Sequence, residues 1–123
     1  MNQEPEVIKA VNDLLRDAIA AEANDVQLEP QANGLRIRYR IDGVLYPQLQ
    51  FREFDRFPGK IVSRLKIMAR LNPEETGVCR DGRIELHVSG RDVDVRVLVI
   101  PGDLGDNVAM RLLYTGENRS ITN

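Results

Sequence analysis

An alternating segment at residues 35–41, with the sequence L-R-I-R-Y-R-I, constrains the fold of this chain more than any other feature. Its apolar side chains recur at every second position, and the positions between them are filled by Arg36, Arg38 and Arg40. A period of two predicts a β-strand with one buried face and one solvent face. The dipeptide D-G at positions 42–43 then predicts a two-residue hairpin turn into a returning strand at residues 44–50.

The remaining periodicity predicts two helices and four more strands. Apolar residues at three- and four-residue spacing indicate helices over residues 5–23 and 55–71. Period-two alternation indicates further strands at residues 26–30, 83–88, 91–100 and 107–113. A second D-G dipeptide, at positions 81–82, predicts a turn just ahead of the strand that begins at residue 83.

These elements predict an α+β fold. We expect a mostly antiparallel sheet of about six strands, with two main helices packed on one face and the other face in solvent. The core must be aliphatic, because the chain has no Trp and only three Phe and three Tyr. Since no internal repeat or linker interrupts it, residues 1–114 are expected to form a single domain, followed by a polar tail at residues 115–123.

Charge and composition restrict the function classes. The net charge of -2 and the isoelectric point near 5.4 argue against a nucleic-acid or membrane-surface binder. No run approaches the ~18 apolar residues of a membrane span, and the acidic, polar N-terminus is unlike a secretory signal. A single cysteine, Cys79, excludes an intramolecular disulfide and suits a reducing compartment. We therefore expect a cytoplasmic protein with no nucleic-acid partner and no direct insertion into a membrane.

The sequence predicts no catalytic residue and no metal site. Neither a G-x-x-x-x-G-K-[S/T] phosphate loop nor a G-x-G-x-x-G motif occurs in it. His87 is the single histidine and has no second ligand at zinc spacing, so we expect a solvated side chain. Asp92 and Asp94 share one predicted strand face. We expect them to pair with Arg91 or Arg96 rather than to bind metal.

Arginine is the functional residue type that the chain uses most. Arg36, Arg38 and Arg40 form a ladder on one strand face. A second set is expected to cluster around the second hairpin: Arg80, Arg83, Arg91 and Arg96. Arginine binds phosphate or carboxylate through two parallel hydrogen bonds and stays charged, so it can complete an anionic site held by another domain. The ordinary alternative is solubility and cross-strand ion pairing. The ladder face offers no aromatic side chain for base stacking, which argues against RNA.

Six segments, read in order, resemble one protein family. Residues 35–45 (L-R-I-R-Y-R-I-D-G-V-L) are similar to its L-R-V-R-Y-R-I-D-G-V-L segment, and residues 61–71 to its I-x-S-R-I-K-V-M-A-x-L helix. The other similar segments lie at residues 23–30, 81–84, 90–97 and 108–113. The family is that of the type II secretion and type IV pilus-assembly ATPases, and the similar part is their PAS-like domain, which precedes a RecA-like motor domain.

The resemblance implies a PAS-like domain without catalytic activity of its own, which packs against RecA-like motor domains of a hexamer in cis or in trans. Two arginines in the similar segments, Arg83 in D-G-R-I and Arg96 in V-D-V-R, are implied to reach toward the phosphates of a nucleotide bound by the motor. ATP and Mg²⁺ are the cofactors of the full-length family. Its partners are inner-membrane components of secretion or pilus machines.

The sequence departs from the family pattern close to these arginines. Residues 79–83 read C-R-D-G-R in place of P-Q-D-G-R, and residues 96–101 read R-V-L-V-I-P in place of R-V-S-T-x-P. A free-standing adaptor that binds a secretion or pilus component without nucleotide is therefore an alternative, and a PAS-like small-molecule sensor is a third. An excised domain and a free-standing relative without a motor both stay open at this point.

Overall fold

The computed structural model describes residues 4–115, which form a six-stranded antiparallel sheet with two α-helices on one of its faces. In chain order the elements are α1 (Pro5–Ala20), β1 (Asp25–Gln31), β2 (Gly34–Ile41), β3 (Val44–Pro47), a 3₁₀ helix (Arg52–Arg56), α2 (Pro58–Met68), β4 (Arg80–Val88), β5 (Arg91–Ile100) and β6 (Asn107–Tyr114). The predicted α+β fold is confirmed. Most of the predicted polar tail, residues 116–123, lies outside the described residues.

α1 buries the apolar stripe that its spacing predicts. Pro5 lies in its first turn, where a backbone N–H has no helical partner to lose. Seven residues of its inner face are buried: Val7, Ala10, Val11, Leu14, Leu15, Ala18 and Ile19. They join one aliphatic core with the inner faces of the strands, and each fully buried Val, Leu or Ile contributes about 1.5–3 kcal/mol to stability.

One polar contact fixes α1 to β2. The buried Tyr39 hydroxyl donates to Asp17 Oδ2 at 2.6 Å. Burial, together with this hydrogen bond, holds the pKa of Tyr39 well above its usual value. The tyrosine therefore stays neutral and acts as a donor at physiological pH.

The sheet is built from two three-stranded meanders that meet at its centre. The strand order is β3-β2-β1-β6-β5-β4, so β1 and β6 are neighbours although they come from opposite ends of the described chain. They pair antiparallel from Asp25↔Arg111 to Leu28↔Val108. Alternation places one set of side chains under the helices and leaves the other set on an open face.

The two D-G dipeptides have different roles, and the predicted turn at positions 81–82 is wrong. At positions 42–43 both residues have positive φ angles, 51° for Asp42 and 83° for Gly43, as a tight hairpin turn requires. Asp81 and Gly82 instead lie inside β4, opposite Leu98 and Val97. A Cβ atom on Gly82 would lie 2.7 Å from the carbonyl oxygen of Ala69, so this glycine permits close packing against the end of α2.

Three predicted boundaries are also corrected. The helix predicted over residues 55–71 is a 3₁₀ helix followed by α2, because the chain breaks at Phe57 and restarts at Pro58, which is favoured at a helix start. α1 ends at Ala20, since Glu22 has a positive φ of 57°. The strand predicted to residue 50 ends at Pro47, although the Gln48 N–H still donates to the Ile37 carbonyl of β2 at 2.8 Å.

A buried ion pair joins α2 to two loops. Lys66 Nζ lies 2.8 Å from Asp106 Oδ2, with side chains 3% and 5% exposed. The same ammonium donates to the Glu75 carbonyl at 3.0 Å, and Asp106 Oδ1 accepts the Gly77 N–H at 3.3 Å. We call this set of groups the buried junction. It fixes the β5–β6 connection relative to α2.

Candidate functional site

Charged side chains form a row across the open face of the sheet. In the strand register Arg83 on β4 lies opposite Arg96 on β5, which lies opposite Arg111 on β6. Arg111 in turn lies opposite Asp25 on β1, and Asp25 opposite Arg40 on β2. We call these five residues the cross-strand row. Directly opposed side chains have Cβ atoms about 4.5–5.5 Å apart, so the five charges are neighbours.

At one end of the row, Arg83 bonds an aspartate through two of its nitrogens. Its Nε donates to Asp94 Oδ1 at 3.1 Å and its Nη2 to Asp94 Oδ2 at 2.7 Å, the two-point geometry that suits a carboxylate. Hydrogen bonding to Asp94, reinforced by its charge, raises the pKa of Arg83 above its ordinary value. The predicted pairing of Asp94 with Arg96 is therefore wrong, because the next strand presents a better-placed partner.

Near the other end, Asp25 holds two arginines. Arg111 Nε donates to Asp25 Oδ1 at 2.8 Å, and Arg40 Nε lies 3.7 Å from Asp25 Oδ2. The Asp25 side chain is only 14% exposed, whereas that of Arg111 is 68% exposed. The hydrogen bond and the charge of Asp25 raise the pKa of Arg111.

Arg96, in the middle of the row, differs from Arg83 and Arg111 in its contacts. Within residues 4–115 its side chain makes no hydrogen bond and no ion pair. It is exposed, and it lies between two other arginines on the neighbouring strands. Like charges directly opposite one another destabilise a sheet. The structure therefore maintains an unneutralised guanidinium at this position at some cost in stability.

A groove of about 580 Å³ runs along the open face beside Arg96. The lining residues that matter for its charge and polarity are Asp25, Arg40, Asp81, Arg96, Leu98 and Arg111. Arg83, the other arginine singled out in the sequence, does not line it. The groove thus combines arginines, two carboxylates and apolar surface, a composition that suits an extended anion more than an apolar ligand.

The arginine ladder of β2 is neutralised by β1. Arg36 forms an ion pair with Glu29, and Arg38 donates to Gln27 Oε1 at 3.0 Å and to Glu29 Oε1 at 3.3 Å. These are the cross-strand contacts that the ordinary interpretation expects. Of the ladder, Arg40 alone reaches the cross-strand row.

The four arginines expected around the second hairpin all lie on β4 and β5, but they do not form one group. Arg80 and Arg91 lie at opposite ends of that hairpin, opposite Val99 and Val88 respectively. Arg80 contacts Glu75 at 2.8 Å, and Arg91 lies over the Tyr114 ring with its Cζ 4.5 Å from the centroid. Both residues therefore have structural contacts away from the open face.

The other sequence candidates lie apart from the groove. His87 is exposed and its Nδ1 is 2.7 Å from Asp92 Oδ1. Cys79 is exposed in the connection before β4. Among residues 4–115, no three His, Cys, Asp or Glu side chains are grouped so as to hold a metal ion. No helix in the same range is long and apolar enough to cross a membrane.

Sequence reasoning missed Arg111 and Asp25. Neither belongs to an alternating run of charges, and their position beside Arg96 depends on the pairing of β6 with both β5 and β1. The available signal was the basic residue of V-A-M-R-L-L, inside one of the segments that resemble the family. Without the register, that signal does not place Arg111 next to Arg96.

Comparison with known proteins gives consistent matches. A family model described as "Type II/IV secretion system protein" matches residues 1–122. The chain is 43% identical over 113 residues to the type II secretion system ATPase E of Vibrio cholerae, covering 92% of this chain and 22% of that protein. It is 44% identical over 112 residues to the type IV pilus assembly ATPase PilB of Myxococcus xanthus, covering 87% and 19%. The chain thus spans about a fifth of the length of these relatives.

Proposed function

Because the chain belongs to the type II/IV secretion system protein family, we propose that it is a non-catalytic assembly and regulatory domain of a type II secretion or type IV pilus-assembly ATPase. In this role it packs against RecA-like motor domains, in cis or in trans, and directs arginines toward the phosphates of bound ATP. We place it in the cytoplasm, next to the inner-membrane components of the machine. The observation that carries the proposal is Arg96, an exposed arginine without a partner in residues 4–115.

The reaction requires only a positive charge from such a domain. In phosphoryl transfer, charge develops on the oxygens of the transferred group, and an arginine from a neighbouring domain stabilises it. Arg96 has its whole guanidinium available for this. Arg83 contributes positive charge next to it, and reaches a phosphate only by exchanging Asp94 for the new anion. We assign the binding of ATP and Mg²⁺ to the motor domain.

The test is ATP hydrolysis by an ATPase that carries this domain. We define a hybrid ATPase in which this chain replaces the matching segment of the Vibrio cholerae relative. Arg96→Ala and Arg83→Ala should each lower its turnover about tenfold or more, the scale of a lost phosphate-stabilising group. Arg36→Ala is the matched control, because it removes a charge from the same open face but outside the cross-strand row.

Two results would contradict the proposal. Wild-type turnover in both arginine variants would remove their role toward nucleotide. If the hybrid that keeps all its arginines fails to hydrolyse ATP, this result would count against a role of the chain in such a motor. The purified 123-residue chain alone should show no ATP hydrolysis.

A second candidate function is an adaptor that binds a secretion or pilus component without nucleotide. It is favoured by apolar side chains on the open face: Leu98, Ile100 and Leu113 are 43%, 38% and 39% exposed. Leu98 occupies a position where the family pattern has serine. If the chain is an adaptor, Leu98→Ser should abolish binding of its partner, and Arg96→Ala should leave that binding unchanged. The motor role predicts the reverse: Arg96→Ala is the damaging substitution and Leu98→Ser the tolerated one.

A further inference from the structure

We propose that the free edge of β4 pairs with the same edge of a second copy of this chain, antiparallel about a twofold axis at Ile84. The free edge is the side of β4 that faces away from β5. In this pair Arg83 lies opposite Glu85 of the second copy, and Glu85 lies opposite Arg83 of the second copy. The pairing involves no nucleotide and no motor domain, so it does not rest on the function proposed above.

The free edge of β4 is long and open. β4 has nine residues, Arg80–Val88, and within residues 4–115 it pairs with β5 alone. No backbone hydrogen bond in that range reaches its other side. The opposite edge of the sheet is β3, which has four residues and ends at Pro47. Since a long unpaired edge is a template for a further strand, β4 is the edge that suits a partner.

The outward backbone groups of β4 belong to its odd-numbered residues. Residues 89–90 form a two-residue turn with φ angles of 53° and 79°. The pair that flanks such a turn, Val88 and Arg91, is hydrogen-bonded, and hydrogen-bonded pairs then alternate along the ladder. The Asp92 carbonyl accordingly faces β6, where it accepts the Thr115 N–H at 3.0 Å. The outward N–H and C=O groups of β4 are therefore those of Asp81, Arg83, Glu85 and His87.

Charge complementarity determines the register. The register centred on Ile84 overlaps all nine residues of β4, and it pairs every outward backbone group, because position 81 meets 87 and position 83 meets 85. The neighbouring registers that keep the same side chains on the open face are centred on position 83 or 85. They place Arg83 opposite Arg83, or Glu85 opposite Glu85. Like charges directly opposite one another destabilise a sheet, so the register centred on Ile84 is favoured.

The two charged side chains have groups available for this pairing. Arg83 bonds Asp94 through Nε and Nη2, which leaves Nη1 for a carboxylate across the free edge. The Glu85 side chain is 82% exposed. Within the domain Glu85 lies directly opposite Asp94, which is a contact between like charges. An arginine of the second copy would relieve that repulsion.

A groove beside the free edge accommodates the apolar side of the pair. It has a volume of about 640 Å³ and is lined by the end of α2, residues 68–70, and by residues 82–86 of β4. Residue 82 is a glycine, and Ala69 lies over it. The register places Leu86 of the second copy opposite Gly82, so that its side chain enters the groove next to Ala69. Leu86 is only partly buried in one copy, and pairing therefore removes apolar surface from water.

The experiment is sedimentation equilibrium of the 123-residue chain at low ionic strength. We expect a dimer with a dissociation constant between about 1 µM and 1 mM, because one strand edge is smaller than a standard interface. Glu85→Arg and Arg83→Glu each turn two attractive pairs into two repulsive ones, and each should raise the dissociation constant about tenfold or more. Glu53→Arg is the matched control, because it changes the net charge as Glu85→Arg does, but from an exposed position on the 3₁₀ helix. It should change the dissociation constant less than about twofold.

A mixture of the two charge variants tests the register. The Glu85→Arg chain has arginine at positions 83 and 85, and the Arg83→Glu chain has glutamate at both. In a mixed pair opposite charges face each other at both positions, so the dissociation constant should return to within about threefold of the wild-type value. A mixture that stays monomeric, while both variants keep the wild-type circular dichroism spectrum, would overturn the register. If Arg83→Glu does not fold, the double variant R83E/E85R replaces the mixture, since each new charge then faces an opposite charge on β5, Arg96 or Asp94.

Hydrogen exchange locates the contact. Raising the concentration of the wild-type chain to about 1 mM should slow exchange about twofold or more at the outward amides of Arg83, Glu85 and His87. The amides of Gly82 and Ile84 should not change, because they already bond β5. A dimer without this alternation would use another surface. A chain that stays monomeric at about 1 mM would mean that the charges of β4 keep its edge unpaired. Either result would overturn the proposal.

Discussion

Lys66 and Arg96 are basic side chains in two regions of the same domain, and their surroundings are opposite. In the buried junction Lys66 is 3% exposed, lies 2.8 Å from Asp106 and donates to a backbone carbonyl. On the open face Arg96 is exposed, has arginines on both sides, and bonds nothing in the part of the chain that the structure describes. One charge is completely neutralised within the domain, and the other is left available.

Burial explains the difference. A charge removed from water needs a charged partner and hydrogen bonds, and the buried junction supplies both from within the domain. An exposed guanidinium stays hydrated without a partner, at the smaller cost of repulsion by its neighbours. The comparison shows that Lys66 contributes to the fold, and it is consistent with the binding role that we propose for Arg96. Stability measurements on the two regions should therefore move in opposite directions.

The largest effect is expected in the buried junction. Asp106→Ala leaves the Lys66 ammonium buried without its carboxylate, and should lower the free energy of unfolding by about 3–5 kcal/mol. Urea denaturation of the chain, followed by circular dichroism, measures this. Asp94→Ala is the matched control, since it removes a carboxylate from an ion pair whose arginine is 56% exposed, and its midpoint should shift far less. Equal shifts in the two variants would break the comparison.

A smaller effect of opposite sign is expected on the open face. Arg96→Thr removes the repulsion by Arg83 and Arg111 and introduces a residue that strands favour, so the free energy of unfolding should rise by about 0.2–1 kcal/mol. Added salt should reduce the gain, because it screens the repulsion. Arg36→Thr should show no gain, since it breaks the pair with Glu29. A destabilised Arg96→Thr chain would mean that this arginine serves the fold.

The two regions also differ in how far the sequence could predict them. Alternation placed Arg83 and Arg96 on strand faces, because side-chain direction follows from local periodicity. The neighbour relation among Arg83, Arg96 and Arg111 required the pairing of three strands. The buried junction joins positions 40 residues apart in the sequence, so no local pattern connects Lys66 with Asp106.

The D-G dipeptides show the same limit at a smaller scale. Both dipeptides predict a turn from the sequence, because Asp and Gly are common where φ is positive. Only the pair at positions 42–43 is a turn; Gly82 faces the Ala69 carbonyl from within a strand. A glycine required by close packing and a glycine required by backbone conformation look alike in the sequence. Tertiary contact with α2 decided between them.

The central claim is that Arg96 is kept unpaired within this domain in order to meet a nucleotide phosphate. Electron cryomicroscopy of the hybrid ATPase with a non-hydrolysable ATP analogue measures this directly, as the distance from the Arg96 guanidinium nitrogens to the nearest phosphate oxygen. We predict a hydrogen-bonding distance of about 2.7–3.2 Å in at least one subunit. A guanidinium more than about 10 Å from every phosphate, beyond the screening length of the solvent, would contradict the account.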